Sequence, residues 1–573
     1  GHAAFMILER IRHLTIQGIE IAAAVEAVAA HTVFTTHTAV PAGHDHFGED
    51  MIHRYFEHAC KELGVSTEQL LALGRVPGGH EFNMTALAVR GSRFHNGVSR
   101  IHGGVSARIL SGLWPQIEAD DNPVTHVTNG VHVSTFLSSE WNELFDRFLG
   151  PGWSQRVTDR SCWEGIHTIP DHQFWSVHQS LKAQMLHLVR HRISEQHARN
   201  HGSEAHLDRL LKLANPDNPN VLTIGFARRF ATYKRAGLLF ENLNWLREIL
   251  CNPQRPVLFL FAGKAHPADQ PGQALIRRVI EVARMPEFEG KILLVEGYDL
   301  RFARRLVSGV DVWLNNPQYP LEACGTSGMK AAMNGIPNLS VLDGWWGEGY
   351  DGKNGWGIKP ASDTLDEARR NHEEARTLYE ILQDSVVPLY YNLGPMGYSP
   401  GWVAMAKHSI ATLLPRFNTT RMLSDYLSRF YVPASHQYRR YSQDNYAGAK
   451  AVAQWKSRVR AAWPQIALRR VDAPKRRIGF GESLRFEVSV NLNGLQPDDV
   501  VVELLFGRPA GGNMPKKARS HRFRHERQLE TGEQIYALDL TPEYCGKIEY
   551  RIRVYPHHEM LTHPFEMGMM IWL

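Results

Sequence analysis

One segment limits the possible folds of this chain more than any other: a strand-like apolar run, a glycine-rich loop and a short helix. The run covers 310–314, and the loop and helix at 322–335 read Glu-Ala-Cys-Gly-Thr-Ser-Gly-Met-Lys-Ala-Ala-Met-Asn-Gly. A loop of this kind leaves backbone N–H groups unpaired at the positive end of the helix dipole, where a phosphate can bind. The segment therefore predicts a phosphate site directly after a strand.

Lys330 is the reactive side chain of this segment, and we expect it in the first turn of the helix. Its sequence neighbours are apolar and none is acidic, so burial would disfavour its ammonium form and suit it to be a nucleophile or an anchor for an aldehyde. The alternative is a lysine whose amine extends from an apolar helix face into solvent. Local composition alone leaves both interpretations open.

Three further short apolar runs predict buried strands at 221–226, 256–261 and 291–295. They alternate with amphipathic helical stretches, a pattern typical of a doubly wound parallel sheet. The sequence therefore predicts an α/β fold. Ligands of such sheets bind at the carboxyl ends of the strands.

Four cations follow the first of these runs: Arg228, Arg229, Lys234 and Arg235. Such a cluster could be a solvated face, the commoner case. Because it comes directly after a buried strand and leads toward an expected helix start, some of these side chains should instead point into the ligand crevice. Arginine forks and a lysine ammonium suit two phosphate groups held side by side.

Size and composition exclude several classes of protein. At 573 residues the chain exceeds what one core serves, and we expect two or three folding units. A net charge of +5 is small for a chain of this length and does not indicate a nucleic-acid partner. Five widely spaced cysteines without a CxxC pair argue for a reducing compartment, which we take as cytoplasmic, and against a zinc ribbon. No apolar run is long enough for a membrane span.

The segment from Glu322 to Gly335, followed by Asn-Leu-Ser-Val-Leu-Asp-Gly-Trp-Trp at 338–346, resembles the α-glucan phosphorylase family, specifically its bacterial and archaeal short-type branch. In two-lobed retaining enzymes that use nucleotide sugars, a second glutamate stands where this chain has Lys330. In the phosphorylases that lysine holds pyridoxal 5′-phosphate, so the resemblance implies the same for Lys330.

The resemblance also implies roles for the other site residues. The sugar would meet His37, in a Thr-His-Thr context, together with Asn129 and Glu322, with Cys324 and Gly325 beside them. Substrate phosphate would be held by Arg229 and Lys234. The cofactor would be held by Gly325, Thr326, Arg228 and Tyr298, although an aromatic residue after a buried strand is more often part of a core.

A metal site built from His37, His44, Asp45 and His46 is the weaker interpretation of the histidine-rich segment, because this spacing fits no common ligand motif. We therefore expect no metal. The chain also departs from the family pattern. Ala39 stands where proline is usual, Cys324 where serine is usual, and Asp269 and Asp299 where animal-type enzymes carry tyrosine and arginine.

The resemblance extends from Gly1 to about Pro433, and Gly1 itself looks like the middle of a family segment. It implies a two-lobed glycosyltransferase-B type fold with doubly wound parallel sheets and an incomplete first lobe. We expect that lobe at 1–133, the cofactor-binding lobe at 134–400, returning helices at 401–463 and, from period-two alternation, an antiparallel β-sandwich at 464–573. Residues 82–103 read as helical, with a second helix starting near Asn96.

The expected activity is phosphorolysis of an α-1,4-glucan by orthophosphate to glucose 1-phosphate with retained configuration. Two alternatives stay open: a nucleotide-sugar glucosyltransferase of the same fold, which Lys330 disfavours, and an inactive glucan-binding fragment. We expect glucan and orthophosphate as partners, with no nucleic acid and no membrane. The sequence allows a homo-oligomer without indicating one.

Overall fold

Parallel sheets form the framework of the larger part of the chain, and antiparallel sheets form its C-terminal part, in the computed structural model of this protein. The structure describes residues 1–40, 43–473, 477–479, 481–508, 516–543 and 545–573. The expected α/β fold with C-terminal antiparallel sheets is confirmed.

The N-terminal part is built on a three-stranded parallel sheet with strand order β1-β4-β5; we call it the three-stranded unit. Its elements are α1 Phe5–Ile16, α2 Ile21–Ala30, β1 Val33–Thr35, β2 His46–Gly48, α3 Glu49–Leu63, α4 Thr67–Gly74, β3 Glu81–Asn83, α5 Met84–Arg90, β4 Phe94–Gly97, α6 Arg100–Ile109 and β5 Val124–His126.

The central part is built on a six-stranded sheet in which every pairing is parallel; we call it the six-stranded unit. Its elements are α7 Val133–Phe136, α8 Ser139–Phe148, α9 Arg160–Trp163, α10 Asp171–Arg199, α11 Glu204–Leu211, β6 Leu222–Ala227, α12 Leu243–Leu250, β7 Val257–Ala262, α13 Gln270–Ala283, β8 Ile292–Val295, α14 Leu300–Gly309, β9 Val312–Asn315, α15 Thr326–Met333, β10 Asn338–Val341, α16 Trp346–Gly349, β11 Gly355–Ile358, α17 Glu367–Ile381, α18 Val387–Tyr391 and α19 Pro400–Leu413.

Strand β7 shows why this sheet is buried on both faces. Phe259 and Phe261 pack into the core on one face, and Leu258 and Leu260 into the core on the other. Successive side chains of a strand point to opposite faces, so a continuous apolar run needs helices on both sides. The order β11-β10-β9-β6-β7-β8 reverses between β6 and β9, which creates a crevice at their carboxyl ends.

The chain passes between the two units twice, and the two passages lie side by side. Val131 on the outward passage and Asn418 on the return passage form a parallel bridge. The Val131 N–H donates to the Phe417 carbonyl over 3.0 Å, and the Thr419 N–H donates to the Val131 carbonyl over 3.1 Å. We call this feature the double crossing. Through it, a few backbone hydrogen bonds hold the two sheets in their relative position.

Long helices and two antiparallel four-stranded sheets complete the chain. Their elements are α20 Thr419–Tyr426, α21 Val432–Ala462, β12 Ala467–Arg470, β13 Leu484–Asn491, β14 Val500–Arg508, β15 Lys516–Arg522, β16 Arg524–Gln528, β17 Gln534–Leu540, β18 Glu549–Pro556 and β19 Ile571–Trp572. The predicted period-two strands are confirmed, although the first one, β12, precedes the alternating segment that indicated them. Helix α21 packs on α2 and is broken at residues 443–446.

Two secondary-structure expectations are wrong. Residues 94–97 form strand β4, and the next helix begins at Arg100, after its cap Ser99, and not near Asn96. The physical reason is tertiary: β4 lies between β1 and β5 and pairs in parallel with both. The cations after β6 likewise enter short 3₁₀ turns and not an α-helix.

Candidate functional site

One cavity of about 430 Å³ collects the carboxyl ends of strands from both parallel sheets. All eleven site residues predicted from the sequence line it: His37, Asn129, Arg228, Arg229, Lys234, Tyr298, Glu322, Cys324, Gly325, Thr326 and Lys330. His37 and Asn129 follow strands of the three-stranded unit, and the others follow strands of the six-stranded unit. The cavity therefore lies where the two sheets face each other.

The glycine loop enters helix α15 through a left-handed residue. Gly325 caps the helix with φ +88°, a conformation that favours glycine. The cap residue supplies no side-chain acceptor to the first turn, so the N–H groups at Thr326 and Ser327 are left for a ligand. Both of these residues line the cavity.

Lys330 lies in the last turn of α15 and not in its first turn as expected. Its Nζ lies 4.1 Å from the centre of the Phe136 ring, and burial lowers the pKa of its ammonium group. The amine forms no ion pair with any of the residues that the structure describes. A half-buried, unpaired amine that lines the cavity has the properties of an anchor for an aldehyde.

Three charged side chains form the electrostatic centre of the cavity. The Lys234 Nζ donates to both carboxylate oxygens of Glu322, over 2.8 and 2.5 Å. The Arg228 Nη1 lies 3.5 Å from the same carboxylate. Arg229 is exposed at the cavity, so it adds positive charge where a ligand would enter.

Burial and charge act in opposite directions on these groups. Burial opposes ionisation of Glu322, but the charges of Arg228 and Lys234 outweigh it, and the Glu322 pKa is lowered. Burial and the nearby Arg228 lower the pKa of Lys234 to about 8, although Glu322 acts to raise it. At pH 7 the site therefore holds a carboxylate among cations, with a positive excess that favours an anion.

The Arg228 guanidinium provides a test of whether a phosphate-bearing cofactor fits the site. The side chain is buried, yet its Nε and Nη1 atoms have no hydrogen-bond partner in the described residues; the contact of Nη1 with Glu322 is an ion pair without hydrogen-bond geometry. Buried guanidinium N–H groups are costly to leave unpaired. A phosphate group between Arg228 and the start of α15 would satisfy them, so the residues present fit such a cofactor.

The neutral end of the cavity is suited to a sugar. Burial lowers the pKa of His37, so its ring is neutral near pH 7. The backbone of Asn129 is fixed on both sides, because its N–H donates to the Val98 carbonyl and its carbonyl accepts from Arg421. Burial raises the pKa of the Cys324 thiol, which makes this side chain a small unreactive wall.

Several residues of the site were not predicted from the sequence, among them Ser327, Tyr233 and Asp343. Tyr233 lines the cavity between Arg229 and Lys234, and its position in the same cationic segment was the only available signal. Asp343 accepts the Glu322 backbone N–H over 2.9 Å, and burial raises its pKa to about 7. No sequence pattern around Asp343 reveals this contact, because it depends on how β10 packs beside β9.

The two aspartates that depart from the animal-type pattern have capping roles. Asp269 accepts the Gly272 N–H at the start of α13, and Asp299 accepts the Phe302 N–H at the start of α14. Asp299 also accepts from Arg192 over 2.7 Å. Neither carboxylate lines the cavity, so these departures change helix starts and leave the cavity wall as described.

Within the described residues, no group of three or more His, Cys, Asp or Glu side chains is arranged to hold a metal ion. None of the described helices combines the length and the apolar character that crossing a membrane requires.

Comparison with known proteins identifies the family. Residues 1–346 match the family model described as "Carbohydrate phosphorylase", and residues 463–573 match "Glycogen phosphorylase C-terminal domain". The chain is 39% identical to a maltodextrin phosphorylase of Thermococcus litoralis over 100% of its own length, and 37% identical to a glycogen phosphorylase of Mycobacterium bovis over 99%. It is also 39% identical to a glycogen phosphorylase of Aquifex aeolicus over 75% of its own length.

The chain spans 66% of the length of the first two relatives and 61% of the third. The family model nevertheless covers more than half of the chain, and the similarity to the first two relatives runs along nearly all of it. The chain therefore belongs to the carbohydrate phosphorylase family.

Proposed function

We propose that this protein is an α-1,4-glucan phosphorylase that transfers the terminal glucosyl unit of a glucan to orthophosphate, with retained configuration, and releases glucose 1-phosphate. One observation carries the proposal: the Lys330 amine shares a cavity with Arg228, Arg229 and Lys234 and with two residues of the facing sheet. A cavity that offers an aldehyde anchor, phosphate-binding cations and a neutral sugar-binding wall suits this reaction.

Pyridoxal 5′-phosphate is the proposed cofactor. Lys330 would anchor it, and the buried Arg228 with Thr326 and the amides after Gly325 would bind its phosphate group, while Tyr298 would lie near its ring. When bound, the cofactor supplies a phosphate group that exchanges a proton with the substrate phosphate. Lys330 then acts as an anchor and takes no part in the bond that breaks.

Arg229 and Lys234 are the proposed ligands of the substrate phosphate. Two phosphate groups held side by side repel each other, so cations between them are needed before the reaction can begin. Lys234, with a pKa of about 8, is mostly protonated at pH 7 and can donate three N–H bonds from Nζ. Glu322, now paired with Lys234, would share that amine with the phosphate and accept a sugar hydroxyl.

The glucosyl unit would bind between the two sheets. Asn129 would hydrogen-bond a sugar hydroxyl, and the neutral ring of His37 would contact the sugar. Cys324 and Gly325 would form the opposite wall of the sugar site. Positive charge develops on the sugar ring as the glycosidic bond breaks, and the anions gathered by Arg229 and Lys234 stabilise it. Burial of the site strengthens this interaction because it lowers the local dielectric.

The proposal includes a finer architecture. The two parallel-sheet units would form a glycosyltransferase-B type pair, with boundaries at 1–133, 134–400, 401–463 and 464–573. The double crossing supports the boundary near 133, because Val131 lies where the chain leaves the three-stranded sheet. The five free cysteines support a reducing, cytoplasmic compartment.

Borohydride reduction after incubation with pyridoxal 5′-phosphate tests the anchor. We expect one pyridoxyl group per chain, found by peptide mass spectrometry at Lys330, and none at that position in Lys330→Arg. The matched control is Lys264→Arg, because Lys264 is exposed, follows a neighbouring strand and does not line the cavity. Labelling spread evenly over surface lysines would overturn the proposed anchor.

Release of glucose 1-phosphate from maltodextrin and orthophosphate tests the activity. Because the chain spans 66% of its relatives' length, the assay compares this chain with one extended N-terminally by the corresponding segment of a relative. Activity in either form supports the proposal. Labelling at Lys330 without activity in either form, but with glucan binding, would favour a glucan-binding protein. Glucosyl transfer from a nucleotide sugar without phosphorolysis would favour the glucosyltransferase.

A further inference from the structure

A second cavity, of about 370 Å³, lies beside the double crossing and takes no part in the proposed reaction. We call it the crossing cavity. Its charged lining residues are Arg160, Arg416, Arg421, Arg429, Glu348 and Asp425. They come from the six-stranded unit and from the returning segment after α19. His126 and Thr128, at the end of the three-stranded sheet, line the same cavity, so it spans the region where the two sheets are joined.

The arginines of the crossing cavity exceed its carboxylates, and the carboxylates do not neutralise them. Arg421 pairs with Asp425 over 2.9 Å, whereas Arg160, Arg416 and Arg429 form no ion pair with a described residue. Glu348 accepts instead from neutral donors: the Thr128 hydroxyl and the Arg100 backbone N–H. Four guanidinium groups against two carboxylates leave a formal excess of two positive charges.

Like charges are close enough to affect one another here. Burial lowers the pKa of the half-buried Arg416, and the neighbouring Arg160 and Arg421 lower it further. Burial also lowers the pKa of His126 in the cavity wall, so that ring is neutral near pH 7. Arg416 donates to the Glu348 carbonyl, and Arg429 donates to the His126 carbonyl and the Thr125 hydroxyl, so their hydrogen-bond partners here are uncharged oxygens. Crowded guanidinium groups whose charge no carboxylate neutralises are unfavourable by themselves and become favourable when an anion joins them.

We propose that the crossing cavity is a binding site for a small phosphoryl anion, held by Arg160, Arg416 and Arg429. Its volume suits a small molecule and is too small for a folded partner. Planar guanidinium groups match the paired oxygens of a phosphoryl group. The shared chemistry is a phosphate dianion, whose source is either free inorganic phosphate or a phosphate monoester.

Such an anion would contact the junction between the two units. Arg416 lies next to Phe417, whose carbonyl accepts the Val131 N–H of the double crossing. Arg421 donates to the carbonyl of Asn129, a residue of the first cavity. An anion held by Arg416 would therefore contact the return passage beside its hydrogen bonds to the outward passage, and it would stay outside the cavity that contains Lys330.

Isothermal titration calorimetry with pyrophosphate at fixed ionic strength tests the proposal. The measurements use an Arg229→Ser background, which weakens anion binding in the first cavity. We expect Arg160→Ser to weaken pyrophosphate binding about tenfold and Arg160→Lys to restore part of the loss. Arg160 is exposed and its side chain forms no hydrogen bond with a described residue, so the replacement should leave the thermal midpoint unchanged.

The matched control is Arg147→Ser, because Arg147 is an exposed arginine outside the crossing cavity. Parallel titrations with orthophosphate and glycerol 3-phosphate separate the two sources of the phosphoryl group, and tighter binding of either one supports the site. Equal effects of Arg147→Ser and Arg160→Ser, or no pyrophosphate binding in the Arg229→Ser background, would refute it. Labelling at Lys330 is independent of these outcomes, so failure here leaves the proposed function intact.

Discussion

Lys234 shows how burial and neighbouring charge set the properties of a single residue. Its amine sits between two carboxylate oxygens of Glu322, yet burial and the nearby Arg228 keep its pKa at about 8, below the usual lysine value. A lysine whose pKa lies this close to physiological pH can either keep or release its proton there. The sequence identified this residue, but only the structure gives its partner and its pKa.

The lowered pKa predicts how anion binding at Lys234 depends on pH. The ammonium form, which binds the anion, is present below about pH 8 and is lost as the pH rises above that value. We expect sulfate, which stays dianionic, to bind several-fold more weakly at pH 9 than at pH 7. In Lys234→Arg the guanidinium stays charged, so the pH dependence measured by calorimetry should be nearly flat. The same slope in both proteins would contradict this assignment.

Replacement of Glu322 by glutamine should destabilise the protein through the cations that it leaves unpaired. Glu322 is only 5% exposed, and removal of one member of a buried ion pair costs about 3–5 kcal/mol. The loss of stability should be largest near pH 6, where Lys234 is charged. It should be smaller near pH 9, where Lys234 can lose its proton. Thermal midpoints at both pH values measure it, and Glu373→Gln, at an exposed position, is the control. Equal midpoints for the two variants would show that the pair contributes nothing.

Among the structural elements, the double crossing is the one whose sequence signal is least visible. Asn129-Gly130 reads only as a turn, but the structure brings Gly130 against the return passage. A Cβ on Gly130 would lie 2.1 Å from the Asn418 carbonyl oxygen. This close approach of two backbones explains why a residue without a side chain stands there.

Gly130→Ala should therefore destabilise the junction of the two units. The added methyl must displace backbone, which costs about 1–3 kcal/mol or more in packed regions. The control is Gly104→Ala in α6, where a Cβ would meet no atom within 4 Å and alanine should stabilise the helix. Urea denaturation followed by tryptophan fluorescence compares the two variants. An unchanged free energy of unfolding in Gly130→Ala would mean that the two passages separate easily.

At the scale of the whole molecule, four buried charges join the N-terminal helices to the C-terminal part. Lys456 on α21 donates to Glu26 on α2 over 2.7 Å and to Glu566 near the C-terminus over 2.6 Å. Arg93 pairs with the same two carboxylates, over 2.8 and 3.3 Å. Because the members come from distant parts of the sequence, this cluster forms only in the complete tertiary structure.

The cluster predicts that acid weakens the contact between the N-terminal helices and the C-terminal part. Burial would raise the pKa of Glu26, but Arg93 and Lys456 outweigh it and hold the pKa at about 2; the Glu566 pKa is lowered as well. A lowered pKa stabilises the fold above the unfolded value near 4.5, and this stabilisation is lost as the pH falls toward 2. Lys456→Met removes one of the two cations that lower the Glu26 pKa. As the pH is lowered, we therefore expect the thermal midpoint of this variant to begin to fall at a higher pH than that of the parent protein.

Thermal scans between pH 3 and pH 7 measure this difference, and limited proteolysis shows whether the C-terminal part separates first. At pH 7, removal of the Lys456 charge should cost about 3–5 kcal/mol. The paired change Lys456→Met with Glu566→Gln should recover part of that loss, because it removes one acid and one base together. Parallel pH profiles for the parent and Lys456→Met would show that these charges do not hold the contact.

The sequence by itself determined the features that depend on local pattern. Continuous apolar runs such as 256–261 predict strands covered on both faces, alternation after residue 484 predicts antiparallel strands, and Gly325 before α15 predicts an anion-binding loop. The motif from Glu322 to Lys330 also indicated the family, which the comparisons confirm. These signals are carried by residues close in the chain, so no tertiary contact is needed to detect them.

Only the tertiary structure decided the features that join distant residues. Strand β4 formed at 94–97, where a helix was expected, because β1 and β5 both pair with it. The pairing of Lys234 with Glu322, the support of Glu322 by Asp343 and the arginines of the crossing cavity all depend on packing between separate elements. Charges and burial act through space, so their partners and pKa values are set once the sheets and helices have been packed together.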